Sequence, residues 1–350
     1  LNGQMNYFTE PLEEDIPFNP DTLPTGTQFV DQWGYPWVPV YFPSSNSSSP
    51  PAGAPASAPT PTNTPGLFSC GKFKLYFADV ISTIKPYIGY ADTVDITNTL
   101  SLNHPLRAGG LSVTKGELRR WTVCQVCAYI ENTIDIPNGI EPDIYFYPSE
   151  TDGGGPIAGG SALFQAASGP GFVGGALYEH IVNPKLIPNF DPTPAAGYFD
   201  AVMKIDFGKP FNLDAFSAPS NLDLFSVLLH EITHCLGFMS LMNSNGIGFF
   251  NPVRYSLLDR YMINGSNLKL IDSSTLTFTQ STSDLISNKI KYRKTHPPFN
   301  SKDISIFSPI TFYPGSSLGH IDDGRDFDNY LMSPGPSHMR FWSKSELEIL

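Results

Sequence analysis

Residues 228–238 read LLHEITHCLGF and place His230 and His234 four positions apart, with Glu231 beside the first histidine and Gly237 three positions after the second. On an α-helix, residues i and i+4 lie on one face about one turn apart, which lets two imidazoles reach one zinc ion. Glu231 lies one step round the helix, where it can accept a proton from a water molecule at that metal. The spacing therefore predicts a zinc site that performs hydrolysis.

A buried structural helix is the alternative, because apolar residues surround both histidines. These residues are Val227, Leu228, Leu229, Ile232, Cys235 and Leu236. A buried helix can hold one hydrogen-bonded histidine, but burying two histidines and a glutamate without a partner costs a large amount of free energy. We therefore interpret the stretch as metal-binding and predict Zn2+ as the cofactor.

A catalytic zinc site takes three protein ligands and keeps one position open, so a third ligand must come from elsewhere in the chain. Three positions after Gly237, where a third histidine is common in such motifs, stands Ser240, which is a poor ligand. Asp259, in the stretch YSLLDRYM, is one alternative and would place the chain in a different class of zinc peptidase. The downstream histidines are His296, His320 and His338, of which His320 is the strongest candidate.

His320 lies in the stretch PGSSLGHIDDGRDFDNYLMSPGPS, in which Met332 follows it within LMSP. Together with HExxHxxG, this stretch resembles the leishmanolysin family of metzincin zinc peptidases, in which a long insertion delays the third histidine and a tight methionine turn follows it. The resemblance covers about residues 68–350. It implies three zinc ligands, a general base and a methionine floor beneath the metal, which are His230, His234 and His320, then Glu231, then Met332.

The chain departs from the family pattern after the methionine. Pro334 stands two positions after Met332, where astacin-like and serralysin-like metzincins carry a tyrosine. The pattern therefore leaves open which group stabilises the oxyanion, a role that zinc itself can share. The side-chain candidates are Tyr330, Arg325 and His338.

A glycine-rich tract, residues 153–175, lies between the first half of the chain and the HExxH stretch. It lacks GxxxxGK[ST] and a basic partner, which excludes a phosphate-binding loop. The resemblance implies that part of the tract is the edge strand above the cleft, where Gly159, Gly160 and Ser161 would pair with an extended substrate. A surface loop is the alternative.

The predicted fold class is α+β, with a metzincin-like twisted mixed sheet and an active-site helix above a loop-rich C-terminal subdomain. Strands are expected over 72–82, 143–148 and 198–208, and helices over 114–134, from the N-cap Ser220 to the stop at Gly237, and from about Ser343. The predicted divisions are an acidic and aromatic arm (1–42), a Pro/Ser/Ala-rich linker (43–66), an N-terminal catalytic subdomain (67–237) and a C-terminal one (238–350). The arm is expected either to pack as a structural segment or to cover the cleft.

Composition excludes several classes of partner. The formal charge of −12, without a basic run, argues against nucleic acid, and no apolar run reaches membrane-spanning length. The cysteines are interpreted as core residues or disulfide partners, because the CxxC lies inside a predicted helix rather than at its N-terminus. They are Cys70, Cys124, Cys127 and Cys235. The sequence begins at Leu1 without a signal peptide, which suggests a processed chain, and sequons at Asn46 and Asn264 favour an extracytoplasmic location.

These observations predict a zinc-dependent endopeptidase that hydrolyses peptide bonds in proteins, with Glu231 as general base. The alternative is a catalytically silent structural or surface component that keeps the zinc site. Glu231 argues for the enzyme, because a structural zinc site has no use for it. The sequence indicates neither an oligomeric state nor a cleavage preference.

Overall fold

The computed structural model describes most of the chain from residue 67 onward. The described residues are 29–30, 67–81, 89–100, 105–108, 112–148, 157–162, 164–165, 171–175, 177–178, 181, 199–212, 222–249, 253–293, 303–322, 330–335 and 341–350. The predicted linker 43–66 and all of the predicted arm except Phe29–Val30 lie outside these ranges.

The strands of the described residues form several small sheets and one larger one. They are β1 (Phe29–Val30), β2 (Leu67–Cys70), β3 (Phe73–Phe77), β4 (Asp143–Pro148), β5 (Ala158–Ala162), β6 (Phe164–Gln165), β7 (Gly171–Val173), β8 (Ala201–Ile205), β9 (Arg254–Ser256), β10 (Met262–Ile263), β11 (Ile271–Asp272), β12 (Thr277–Phe278), β13 (Lys291–Tyr292) and β14 (Ile304–Ser305). The larger sheet has the order β2-β3-β4-β8-β5. β3, β4 and β8 are parallel to one another, while β2 and β5 pair antiparallel to their neighbours. The fold is therefore α+β with a mixed sheet, as predicted.

The helices are α1 (Ala78–Ile81), α2 (Pro105–Ala108), α3 (Lys115–Thr133), α4 (Leu224–Cys235) and α5 (Lys344–Ile349). α3 begins with a capping box in which Thr114 and Glu117 bond to each other's backbone N–H groups. α4 begins after Asp223, whose carboxylate accepts the N–H of Ser226 at 3.0 Å. The predicted N-cap Ser220 lies outside the described residues, and the structure gives this role to Asp223. Gly237 ends the helical segment with a φ of 101°, as its position predicted.

The sheet and the two long helices enclose one hydrophobic core, called here the upper core. β3 contributes alternate residues to it, Phe73, Leu75 and Phe77, each 0% exposed. On the other face of the sheet, Tyr76 of β3 stacks on Tyr145 of β4 with ring centroids 5.7 Å apart. Apolar residues of α3 and α4 cover the core face, including Val126, Ile130, Leu228, Leu229 and Ile232. The sheet therefore supports the helix that carries the HExxH stretch.

A second hydrophobic core, called here the lower core, is built from residues 238–332. Its buried members include Phe238, Tyr255, Leu285, Ile306 and Met332. Short paired strands surround it: β10, β13 and β14 form one small sheet, and β11 pairs with β12. Most of the lower half is loop and turn, which agrees with the predicted loop-rich character of this part of the chain.

The structure decides between the two roles that the sequence left open for the cysteines. Cys70 of β2 and Cys124 of α3 form a disulfide, whereas Cys127 and Cys235 are buried thiols outside it. Burial raises the pKa of the Cys127 thiol, so this cysteine stays protonated and inert at neutral pH. The CxxC pair is thus divided between a cross-link and the core, because neighbouring turns of α3 face β2 and the helix–sheet interface respectively.

The structure also shows the surroundings of one of the two predicted glycosylation sequons. The sequon residue Asn264 is buried, and its side chain accepts the N–H groups of Ser266 and Leu268 while donating to Gln280. An asparagine used in this way is a poor glycan acceptor, so this sequon does not support secretion; Asn46 lies outside the described residues. Within the described part of the chain, no helix combines the length and apolarity needed to cross a membrane.

Candidate metal centre

α4 presents its two histidines on the side that faces away from the upper core. Leu228, Leu229 and Ile232 are buried at 0% exposure between α4 and the sheet. His230 and His234, one turn apart, turn toward the lower half, where His234 is 8% exposed. The apolar face of the helix thus holds the pair in place from behind.

The third histidine, His320, lies at the far end of the long segment that follows α4 and forms the lower half. Backbone of Met239 and Ser240 lies against Gly319, since a Cβ placed at Gly319 would come 3.7 Å from the Ser240 nitrogen and 4.0 Å from the Met239 Cα. His320 therefore enters the site beside the point where the chain leaves it. Ser240, at the position where a third ligand was considered, instead donates its hydroxyl to Asp259 at 2.6 Å.

The three Nε2 atoms converge on one point. They lie 3.1 Å (His230–His234), 3.2 Å (His234–His320) and 3.3 Å (His230–His320) apart. Ligand nitrogens about 2.0–2.1 Å from a tetrahedral zinc ion are separated by about 3.3–3.4 Å. The three histidines together could therefore bind a metal ion, and their spacing matches three corners of such a tetrahedron.

Each imidazole is oriented through its other nitrogen. Nδ1–H donates to a backbone carbonyl in every case: His230 to Leu331 at 2.7 Å, His234 to Phe238 at 2.6 Å, and His320 to Ser316 at 2.8 Å. With the proton on Nδ1, each Nε2 carries a lone pair and no hydrogen. The three Nε2 atoms are therefore all hydrogen-bond acceptors. No hydrogen bond can form between them, whereas one cation can bind all three lone pairs.

Electrostatics favour the neutral, ligating form of His234 and His320. Burial lowers the pKa of His234 well below its ordinary value, and the adjacent imidazoles of His320 and His230 lower it further. Burial and the neighbouring His230 also lower the pKa of His320, to about 3. Since metal ions bind neutral imidazole, these residues are ready to ligate at neutral pH without first losing a proton.

Glu231 lies beside the centre with its carboxylate held by the sheet edge. The N–H of Gly160, in β5, donates to Glu231 Oε2 at 2.5 Å. Burial raises the pKa of Glu231 above its ordinary value, while the neighbouring His230 and the Gly160 hydrogen bond oppose that rise. A carboxyl group with a raised pKa beside such a centre is suited to accept and return a proton.

The approach of β5 to α4 depends on the absence of a side chain at Gly160. A Cβ at this position would overlap the backbone carbonyl of Glu231. Glycine therefore lets the strand lie directly against the helix backbone, close enough for the amide to reach the carboxylate. In the sequence, only the high glycine content of the tract pointed to a close backbone contact, and it did not identify Gly160 as the residue that makes it.

The register of β5 decides which of its backbone groups face outward. The N–H of Asp206 donates to the carbonyl of Ile157, so these two opposite residues form a hydrogen-bonded pair. By alternation, Gly159 pairs with Lys204 and Ser161 with Val202 in the same way, whereas Ala158, Gly160 and Ala162 turn their backbone groups to the free edge. Of the three predicted substrate-edge residues, only Gly160 turns its backbone groups outward, and its N–H already donates to Glu231, which leaves its C=O for a partner. That these residues bind substrate stays a prediction.

A cleft of about 450 Å³ runs between the two halves at this centre. β5 residues Ala158–Gly160 line one side, and Pro314–Ser316 with Ser333–Gly335 line the other. His230, Glu231, His234 and His320 all open into it. The cleft is large enough for several residues of an extended peptide.

The remaining sequence candidates fall elsewhere. Asp259 is 0% exposed and accepts Ser240 Oγ, the N–H of Leu241 and the N–H of Ser256, away from the histidine cluster. Asp259 is therefore wrong as the alternative third ligand, because its carboxylate already accepts hydrogen bonds from two loops. Tyr330 packs in the lower core at 4% exposure, and Arg325 and His338 lie outside the described residues. Met332 is buried in the lower core next to the His320 segment.

Comparisons with known proteins add no relative: no protein-family model, no curated protein and no solved structure matches this chain.

Proposed function

We propose that this chain is a zinc-dependent endopeptidase with a leishmanolysin-like metzincin architecture. The observation that supports it most strongly is the convergence of three Nε2 atoms at 3.1–3.3 Å, with every Nδ1 committed to a carbonyl, beside a buried glutamate in an open cleft. A structural zinc site is usually closed by four protein ligands. Three ligands and an adjacent carboxylate in an open cleft fit a catalytic site better.

The proposed cofactor fits the donor set. Three neutral imidazoles with a tetrahedral spacing suit Zn2+, which prefers nitrogen and sulfur ligands and imposes no geometry of its own. When bound, zinc supplies Lewis acidity that acidifies water at the site and polarises the carbonyl of the bond to be cleaved.

Glu231 handles the proton in this proposal. Gly160 fixes one carboxylate oxygen, and with it the plane of the group, on the cleft side of α4. The carboxylate accepts a proton from the attacking water and delivers it to the departing amine nitrogen, so that one residue serves as base and then as acid. Its raised pKa reduces the free-energy cost of holding that proton between the two steps.

The peptide would lie extended along β5. A substrate strand can hydrogen-bond to the outward backbone groups of Ala158 and to the Gly160 carbonyl, since the Gly160 N–H already donates to Glu231. Such pairing brings a main-chain carbonyl over the histidines. Such recognition reads the backbone of the substrate and suits cleavage within unfolded or extended segments of proteins. The Cys70–Cys124 disulfide supports an extracytoplasmic location, where oxidising conditions maintain such bonds.

The test compares zinc content and hydrolysis of an unfolded protein substrate in three purified proteins. Wild type should bind one zinc per chain and cleave. Glu231→Gln should keep its zinc and lose on the order of a thousandfold in rate, because only the proton acceptor has changed. His320→Ala should lose both zinc and activity, because two ligands remain.

Asp272→Asn is a matched surface control, since Asp272 lies on the β11–β12 hairpin and its carboxylate bonds only to neighbouring residues. It should behave as wild type. A wild-type protein that binds zinc but cleaves no substrate would support the silent structural alternative, and full activity in Glu231→Gln would refute the assigned base.

A further inference from the structure

Glu346 is a fully buried carboxylate that no step of the proposed reaction uses. It lies in α5 at 0% exposure and belongs to the capping box of that helix, where its Oε2 accepts the N–H of Ser343 at 2.7 Å. Its other oxygen, Oε1, accepts the N–H of Met332 at 2.7 Å. One carboxylate thus bonds both to the start of its own helix and to a segment beside the metal centre.

The Met332 N–H belongs to the same peptide group as the Leu331 carbonyl. That carbonyl accepts the Nδ1–H of His230 at 2.7 Å. A continuous chain therefore runs from the Glu346 carboxylate through one peptide plane to the imidazole of His230. Hydrogen bonds in such a chain polarise one another, so a negative charge on the N–H side makes the carbonyl a stronger acceptor.

The other two ligands lack a charged group at the corresponding place. The Phe238 carbonyl, which holds His234, shares its peptide group with the Met239 N–H, and that N–H donates to the Gly237 carbonyl at 2.8 Å. The Ser316 carbonyl, which holds His320, shares its peptide group with the Ser317 N–H, which donates to the Tyr313 carbonyl at 2.8 Å. His230 alone among the three is backed by a carboxylate.

We propose that Glu346 is a positioning residue for the metal centre: its carboxylate acts through the Leu331–Met332 peptide group to orient His230 and to raise the basicity of its Nε2. Metal-binding histidines commonly donate their second N–H to a carboxylate directly, and here a peptide group stands between the two. The inference rests on the proposed metal site, and does not depend on peptidase activity.

The C-terminal segment is well placed to hold this arrangement. Trp342 donates its indole Nε1–H to Thr233 Oγ1 in α4 at 2.7 Å, and its backbone N–H to the Tyr129 hydroxyl in α3 at 3.1 Å. These bonds dock the start of α5 against the two long helices. Glu346 is thereby fixed relative to α4, which carries His230.

The test measures zinc affinity of the full chain by competition with a chelator of known affinity. Glu346→Gln keeps the size of the side chain and one acceptor but removes the charge. It should weaken zinc binding about 10- to 100-fold, the range found when such outer partners of a ligand are changed. The visible absorption bands of the cobalt-substituted protein should also shift, because they report the ligand field at the metal.

Glu117→Gln is the matched control. Glu117 fills the same capping-box position in α3, where it bonds to Thr114 and lies in a different element from the metal ligands. Glu346→Gln should lose more stability in the metal-free protein, because Glu346 is buried and Glu117 is exposed, and only Glu346→Gln should lose zinc affinity. Equal zinc affinity in Glu346→Gln and wild type, or equal losses in both variants, would overturn the proposal.

Ser343→Ala keeps the inference testable if Glu346→Gln does not fold. It removes the hydroxyl that caps α5 and leaves the bond from Glu346 to Met332 in place. Zinc affinity should stay within about threefold of wild type, since no charge near the ligand has changed. A larger loss would assign the effect to the helix cap and overturn the relay, whereas a wild-type chain that binds no zinc would overturn the metal site itself.

Discussion

Met332 contributes to the protein through two separate contacts. Its side chain is 0% exposed in the lower core, near Leu318 and Ile321. Its backbone bonds on both sides, accepting the N–H of Ile321 at 2.8 Å and donating to Glu346. The side chain can therefore be changed without removing the hydrogen bonds that tie this segment to the metal centre.

Substitutions at Met332 should separate packing from ligation. We expect Met332→Leu to cost under about 1.5 kcal/mol of unfolding free energy, because it conserves volume. Met332→Ala should cost about 2–5 kcal/mol, because it leaves a cavity. Denaturant unfolding and zinc analysis measure the two effects; Met332→Leu should keep its zinc and most of its activity. Strong loss of zinc in Met332→Leu would mean that the sulfur itself is needed, against the packing role assigned to it.

Asp259 should make the stability of the protein depend on pH in an unusual direction. Burial raises the pKa of Asp259 to about 6, although hydrogen bonds from Ser240, Leu241 and Ser256 oppose the rise. Between about pH 4 and pH 6 the folded carboxyl holds a proton that the unfolded one has lost. Its contribution to stability is therefore full below pH 4 and falls, by on the order of 3 kcal/mol, as the pH rises to 6.

The measurement is the unfolding free energy of wild type and Asp259→Asn across this range. The variant should lack that fall, although its amide places a donor against donors and lowers stability overall. In the exposed control Asp272→Asn the fall should persist, because hydrogen bonds from Ser274 lower the pKa of Asp272 and move its titration to more acidic pH. Identical pH slopes in wild type and Asp259→Asn would contradict the assigned pKa.

Among the elements, β5 and α4 pack against each other at an unusually short distance, which no sequence pattern predicts. The strand lies so near the helix that Gly160 has no room for a Cβ, and the amide at this point holds the Glu231 carboxylate. The strand is also the edge of the sheet, so its outward backbone groups other than the Gly160 N–H stay available to a peptide. One short element thereby orients the proposed base and borders the cleft.

Gly160→Ala should push β5 away from α4. We expect a loss of about 1–3 kcal/mol in unfolding free energy from overpacking and a fall in kcat, with zinc retained because no ligand is touched. Gly171→Ala, in β7, is the control, because a Cβ there meets nothing within 4 Å; it should change stability by less than about 0.5 kcal/mol. Unchanged kcat in Gly160→Ala would show that the Gly160–Glu231 bond does not position the base.

Considered as a whole, the molecule consists of two packed halves with a cleft between them. The lower half is a long excursion of the chain whose two ends lie side by side. The chain leaves the site near Ser240 and returns at Gly319, within van der Waals distance of where it left. Asp259 ties the first turn of the excursion to the segment around Ser256. The long insertion therefore delivers His320 to the place that a ligand directly after Gly237 would otherwise take.

The Cys70–Cys124 disulfide should stabilise the upper half against unfolding. It links β2 to α3 across 54 residues of sequence, and the loop-closure relation gives about 4 kcal/mol for a loop of that length. Cys70→Ser, Cys124→Ser and the double variant should each lose a similar amount in denaturant unfolding, because each breaks the same bond. Additive losses in the double variant would show that the two sulfurs stabilise the fold separately.

Short-range sequence patterns were sufficient to predict many of the helices and strands. The strand predicted over DIYFYP matches β4, and the stop at Gly237 and the start of the last helix at Ser343 follow from backbone and capping rules. The predicted strand 72–82 is cut to Phe73–Phe77, because the chain turns into α1. These features depend on residues within a few positions of one another, so one sequence can specify them.

Within the proposed centre, the sequence by itself determined the histidine pair and its glutamate, because their spacing on one helix is a local property. It ranked His320 above Asp259 through a resemblance, and the tertiary structure decided between them by placing the Nε2 atom of His320 3.2–3.3 Å from those of the pair. Only the tertiary structure showed that Gly160 holds Glu231 and that Glu346 backs His230. These contacts join residues 71 and 116 positions apart, and such closures depend on how whole elements pack, which no local spacing records.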